Sequence, residues 1–336
     1  MAAAAPVALS ALPAVSANLR RRSVVAGVQL GVQTYSYHDI LNLGKNQSDA
    51  IISRMKQNGL YSCELFAAQI EPGLFTGELP PAANCPKPDI GCPPGKGGSE
   101  RNGFDWEFKV KTGDDLTKAR TALRAFRESR PKKYYESIRR QFDDAGIELY
   151  SYNAYFDVDC TDDEIDGIFV AAKALGARAI NSSIRLPTLK RAIPFAEKHR
   201  MIIAPHGHSV VLDPEDFSTR KTFTDVFTLS KWVWANLDIG HYVAAGEDPV
   251  DFINSFHDRI TNLHIKDRKK NTTITAEDGA NMPWGRGDTP ITSVLRLLRD
   301  KRYGIPAFIE IEHVGSTTAV GEVQTAYDYC KRALLS

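Results

Sequence analysis

The sequence predicts an α/β fold, a closed barrel of eight parallel strands with a helix after each. Three observations predict it. From residue 28 onward, short Val/Ile/Leu/Tyr runs alternate with longer amphipathic segments, and eight such runs can be counted. The first run continues into Gln33-Thr-Tyr-Ser-Tyr-His38, which is not the Gly-rich phosphate turn that a doubly wound open sheet would place there. Four runs in the second half end abruptly in metal-binding or acid/base side chains: Ile202-Ile-Ala-Pro-His206-Gly-His208, Val233-Trp-Ala-Asn-Leu-Asp238-Ile-Gly-His241, Ile260-Thr-Asn-Leu-His264-Ile-Lys266-Asp267 and Pro306-Ala-Phe-Ile-Glu310-Ile-Glu312. In a barrel the carboxyl ends of all strands open onto one face, where active sites sit.

Taken in order, residues 1–27 precede the fold. Met1 to Asn18 is almost wholly Ala, Pro, Val, Leu and Ser and ends in a small-residue, cleavage-like pattern. No basic residue precedes this segment, and Arg20-Arg-Arg22 follows it, so it reads either as an export signal without its basic start or as a disordered tail. Export would make the protein periplasmic; otherwise it is cytoplasmic. The strands are expected at 28–35, 61–66, 147–152, 178–181, 201–205, 233–238, 260–265 and 307–311. Helices are expected at 161–175, where Thr-Asp-Asp-Glu forms a capping box, and at 187–199, 249–256 and 289–300. The alternation breaks at about 69–112, a Pro/Gly-rich stretch without period, read as an insertion after strand two that either lids the active face or decorates it. Residues 28–336 are then one barrel domain.

Composition narrows the function. With 43% apolar residues, 25% charged and a formal charge of +1, the chain lacks the basic stripe of a nucleic-acid binder. No apolar run approaches the roughly 20 residues of a membrane span. The partner left is a small molecule, with a homo-oligomer compatible. The five cysteines form no disulfide framework: Cys63, Cys160 and Cys330 read as core or surface residues, while Cys85 and Cys92 could close a local bridge if the protein is exported.

The four strand ends outline a metal site. Burying Glu310 and Glu312 on one side of a strand is costly without a cation or other partner. A shell of His206, Asp238, His264 and Glu310 mixes N and O donors and suits one divalent ion such as Mn²⁺, Zn²⁺, Co²⁺, Fe²⁺ or Ni²⁺ better than Ca²⁺ or Mg²⁺. His208 competes with His206 as ligand, or serves as an acid/base group.

The motifs Leu237-Asp-Ile-Gly-His241, Asn262-Leu-His-Ile-Lys-Asp-Arg268, Pro283-Trp-Gly-Arg-Gly-Asp-Thr-Pro290 and Ala307-Phe-Ile-Glu-Ile-Glu312 resemble the sugar phosphate isomerase/epimerase superfamily. This is the xylose isomerase-like TIM-barrel group of ketose 3-epimerases, inosose dehydratases and endonuclease IV. The resemblance implies metal ligands at Asp238, His264 and Glu310. A fourth ligand, a Glu after strand five in the epimerases, falls on His206, where this chain departs from the pattern. It also implies a substrate-hydroxyl contact at His241, and Lys266 two residues after His264 would hold the substrate or an enolate oxygen. Other expected substrate contacts are Tyr37, His38, Glu64, Asn153, Trp284, Arg286 and Glu312.

The function expected is a metal-dependent isomerase or epimerase working on a keto-sugar or polyol through a metal-stabilised enediolate, with Glu310 or an unligated His as base. Elimination from a keto-sugar or 3-keto-glycoside is the alternative, since His206 removes one of two opposed glutamates. An endonuclease IV-like phosphodiesterase and a non-catalytic sugar-binding barrel are the readings from other classes.

Overall fold

The computed structural model describes residues 23–37, 40, 46–73, 113–156, 158–274, 276–313 and 317–336. The export-signal, His38 and Cys85–Cys92 readings fall outside these residues, as does most of the insertion. Eight parallel strands appear where the apolar runs predict them: β1 Val28–Gln33, β2 Ser62–Phe66, β3 Glu148–Asn153, β4 Ala179–Ser182, β5 Ile202–Pro205, β6 Ala235–Asp238, β7 Ile260–Ile265 and β8 Ala307–Ile309. They pair in the order β5-β4-β3-β2-β1-β8-β7-β6. Isolated parallel bridges at Ile203–Val233 and His206–Asn236 join the two ends into a ring. Helices surround it: α1 Ser48–Asn58, α2 Gly113–Glu128, α3 Lys132–Asp144, α4 Asp162–Leu175, α5 Leu186–His199, α6 Arg220–Phe227, α7 Ile239–Ala244, α8 Pro249–Phe256, α9 Ile291–Lys301 and α10 Ala319–Leu335. The result is a (β/α)8 barrel.

The period of two along each strand sorts the chemistry. Leu30, Val32, Cys63, Leu65, Ile180, Ile203, Leu237, Leu263 and Ile265 belong to the large apolar core beneath the helices. The alternate positions hold buried polar groups: Gln33, Glu64, Ser151, Asn181, Asn236, Asn262 and His264. Lower in the barrel the filling is aromatic, with Phe308 meeting Tyr150 edge-on at 5.5 Å. Gly31 is required there, because a Cβ would sit 2.5 Å from the Phe308 ring. Cys63, Cys160 and Cys330 are buried.

Three boundaries depart from the pattern for identifiable reasons. Strand β1 stops at Gln33, whose side-chain oxygen accepts from Tyr35 N and starts a 3₁₀ turn over Thr34–Ser36. Strand β8 stops at Ile309 because the Ile311 N–H is taken by Ser36 Oγ at 3.0 Å. Only half of the capping box at α4 forms. Thr161 accepts from Glu164 N, but the Glu164 carboxylate turns to Arg120 and Arg127.

The start of the predicted insertion packs on the barrel. Glu71 is buried and accepts from Arg127 Nε and Nη2 at 3.0 and 2.7 Å, and from the Tyr135 and Tyr152 hydroxyls at 2.7 and 2.6 Å. Arg127 also donates to the Tyr155 carbonyl, so one guanidinium ties α2 to the ends of β2 and β3.

Candidate metal centre

Strand ends β5 to β8 deliver four buried side chains to one point. His206, Asp238, His264 and Glu310 each offer a ligand atom within 4.8 Å of the others. Each is fixed from behind. His206 Nδ1 lies 2.9 Å from Asn236 Oδ1, an acceptor, so Nδ1 carries the proton and Nε2 keeps its lone pair. Burial holds the His206 pKa well below its ordinary range, and His264 and His208 add to the effect, so the ring is neutral and able to ligate. Asp238 caps α7 by accepting from His241 N through Oδ1 at 2.8 Å. Its Oδ2 makes no hydrogen bond, although Lys266 Nζ is 3.0 Å away. Burial raises the Asp238 pKa against the pull of Lys266. Burial alone would lower the His264 pKa, but Glu310 and Glu64 on either side hold it well above its ordinary range, so a metal would displace a proton from that ring. Two imidazole rings and two carboxylates, with one carboxylate oxygen lacking a hydrogen bond, fit a single divalent first-row metal.

Cations and anions alternate above this cluster. Lys266 Nζ lies 2.9 Å from Glu310 Oε2, 2.6 Å from Glu312 Oε2 and 3.0 Å from His241 Nε2. Burial alone would lower its pKa, but Asp238, Glu310 and Glu312 raise it above the ordinary lysine range. Burial would likewise raise Glu310, yet His264 and Lys266 hold it well below the usual carboxylate range. His241 Nδ1 meets Arg268 Nη1 at 2.6 Å. Beside them, Asp267 accepts from Gly285 N and Gly287 N at 2.8 Å each and from Thr289 N at 3.3 Å, which shapes the Trp-Gly-Arg-Gly-Asp loop. A Cβ at Gly287 would lie 2.0 Å from Asp267 Oδ1, so the loop needs glycine there.

A cleft of about 400 Å³, counted to its open mouth, rises from the cluster. Of the residues expected from sequence, Asn153, His206, His208, Glu310 and Glu312 line it. Others lie elsewhere. Tyr37 is buried and donates to Asn58 Oδ1 at 2.9 Å, towards α1. Trp284 packs edge-on against Tyr329 at 5.8 Å, and Arg286 is exposed on its loop. Glu64 is fully enclosed within the barrel. The cleft adds Gln33, Tyr35, Phe66, Tyr155 and Ser183, which sequence reasoning missed. Their one common signal is position, at or just past the ends of β1 to β4.

The family model described as xylose isomerase-like TIM barrel matches residues 114–332. The chain belongs to this family. No curated protein matches it significantly. Among solved structures, the barrel is similar to a sugar phosphate isomerase/epimerase from Parabacteroides distasonis ATCC 8503, with TM-score 0.54 and 16% identity over 96% of this chain and 100% of that one. It is similar to the IOLI protein with a binding zinc atom, with TM-score 0.55 and 14% identity over 91% and 97%. A third likeness is to 3-keto-D-glucoside 4-epimerase, YcjR, from E. coli, with TM-score 0.52 and 10% identity over 90% and 98%. At such identities the likeness concerns the fold. No helix of the described residues is long and apolar enough to cross a membrane.

Proposed function

We propose that the chain is a divalent-metal-dependent enzyme that moves a proton beside the carbonyl of a keto-sugar or polyol. The observation that carries this reading is the buried quartet His206, Asp238, His264 and Glu310 at the bottom of an open, mixed polar and aromatic cleft. A metal bound there would polarise a carbonyl and an adjacent hydroxyl, making the C–H between them acidic. The protein's own groups do the rest. Glu310 would take the proton, and Lys266 would balance negative charge on oxygen. Asn153, Gln33, His241 and Glu312 are candidate hydroxyl partners, with Tyr35, Phe66 and Tyr155 as apolar walls. In this reading Tyr37 and Trp284 serve the fold.

One observation favours elimination over epimerisation as the outcome. An epimerase needs a proton-transfer group on each face of its planar intermediate, and here the strand-five position is an imidazole bound to Asn236. His208, partly exposed on the cleft wall 3.5 Å from Ser183 Oγ, is a group better suited to protonating a departing oxygen. Incubating the metal-loaded protein in D₂O with ketoses and 3-keto-glycosides tests both. Aglycone release or dehydration supports elimination. Deuterium in an epimerised ketose without such products restores the epimerase. No deuterium and no product from any substrate would sink the proton-transfer reading itself.

A further inference from the structure

His264 stands between two carboxylates. Its Nδ1 lies 3.1 Å from Oε2 of Glu310, another member of the quartet. Its Nε2 lies 3.1 Å from Glu64 Oε1, off the hydrogen-bond direction, and has no other partner among the described residues. An imidazole that ligates a metal keeps one proton and gives one lone pair. A proton on Nδ1 would face Glu310 and block the ring as a ligand. A proton on Nε2 would face Glu64 and free Nδ1.

Glu64 is built to enforce the second arrangement. Oε1 accepts from Gln33 Nε2 at 3.3 Å and Asn153 Nδ2 at 2.7 Å. Oε2 accepts from Ser151 Oγ at 3.1 Å, from Asn262 Nδ2 at 3.0 Å and from Asn181 Nδ2. Five neutral donors from β1, β3, β4 and β7 fix the carboxylate, and no Lys or Arg among the described residues reaches it. The side chain is wholly buried, so a sugar in the cleft does not touch it.

We propose that Glu64 is a positioning residue that holds the proton of His264 on Nε2 and so presents Nδ1 to the metal. This rests on the metal-binding reading above. A carboxylate or carbonyl behind a metal-bound histidine typically accounts for about 10–100-fold in metal affinity.

The test uses the full chain, stripped of metal and titrated with Zn²⁺. Glu64→Gln should weaken Zn²⁺ binding about 10–100-fold, and Glu64→Asp, which keeps the charge, should recover part of it. Long-range ¹H–¹⁵N spectra of zinc-loaded, ¹⁵N-histidine-labelled wild-type protein should show His264 protonated at Nε2 and bound through Nδ1. This readout needs no variant to fold. Unchanged affinity in folded Glu64→Gln, or His264 bound through Nε2, would overturn the proposal while leaving the metal site intact. Failure of the wild-type chain to bind Zn²⁺ would remove both readings.

Discussion

Glu64 within β2 and Glu71 beyond its end lie seven residues apart, both are buried, and the protein treats them in opposite ways. Glu71 meets a cation, with Arg127 on one oxygen and the Tyr135 and Tyr152 hydroxyls on the other. Glu64 meets five neutral donors, and the group nearest to balancing its charge is His264 of the metal centre. The difference shows how one barrel separates fold from function. A carboxylate neutralised within its own layer stabilises the scaffold whatever the site holds. A carboxylate neutralised through a ligand ties its fate to that ligand.

The largest effect is therefore expected at the scaffold pair. Arg127→Met leaves Glu71 buried without its cation, and breaking such a pair typically costs about 3–5 kcal/mol. Urea unfolding should show that loss, while Zn²⁺ affinity of the folded fraction stays at the wild-type value. A stability loss below about 1 kcal/mol, or a selective loss of metal binding, would erase the contrast. Next in size is the metal itself. Zn²⁺ at about 100 times its Kd should stabilise the wild-type chain by about 2.7 kcal/mol. Asp238→Ala and His264→Ala should abolish that increment, read as a shift in unfolding midpoint and as zinc content of the purified protein. Full occupancy in both variants would end the quartet assignment.

A smaller effect is expected where the two roles meet. Asp267 lies next to Lys266 yet spends its carboxylate on three backbone N–H groups of the 285–289 loop. Asp267→Ala should cost about 1–3 kcal/mol, the range for leaving such donors unmade. It should also speed hydrogen exchange at Gly285 and Gly287 without altering zinc content. Unchanged exchange at both amides would show that the loop holds its shape without Asp267.

The same division explains what was legible in the sequence. The eight strands could be read because their outward positions are continuous in Val, Ile and Leu. The quartet could be read because His206, Asp238, His264 and Glu310 interrupt such runs at their ends. The polar layer could not. Gln33, Asn181, Asn236 and Asn262 are neutral amides that look like solvent-facing positions, and their partners are remote, with Asn262 198 residues from Glu64. Tyr35 and Tyr37 part company for a local reason. The 3₁₀ turn over Thr34–Ser36 replaces the strand period with about three residues per turn. Residues two apart no longer share a face, so Tyr35 lines the cleft and Tyr37 reaches α1. Trp284 packs against Tyr329 in a loop whose backbone amides Asp267 gathers.

The smallest predicted effect concerns a third carboxylate, balanced near the surface. Glu322 in α10 lies 3.1 Å from His313 Nε2 and accepts from Thr317 N and Oγ1 at 2.9 and 2.8 Å. His313 leads the causes that lower its pKa from 4.5 to about 2, against the effect of burial. A carboxylate depressed on folding stabilises the folded state above its unfolded pKa, and that contribution is lost as pH falls through the folded value. The Glu322 contribution is therefore whole above about pH 4.5 and fades towards pH 2. Glu322→Gln should flatten the acid limb of the stability profile in this window and cost about 1 kcal/mol or less at pH 7. Because neither Glu322 nor His313 touches the quartet, the change should be the same with metal bound or stripped. An acid limb that moves only in the zinc-loaded protein would place Glu322 with Glu64 rather than with Glu71.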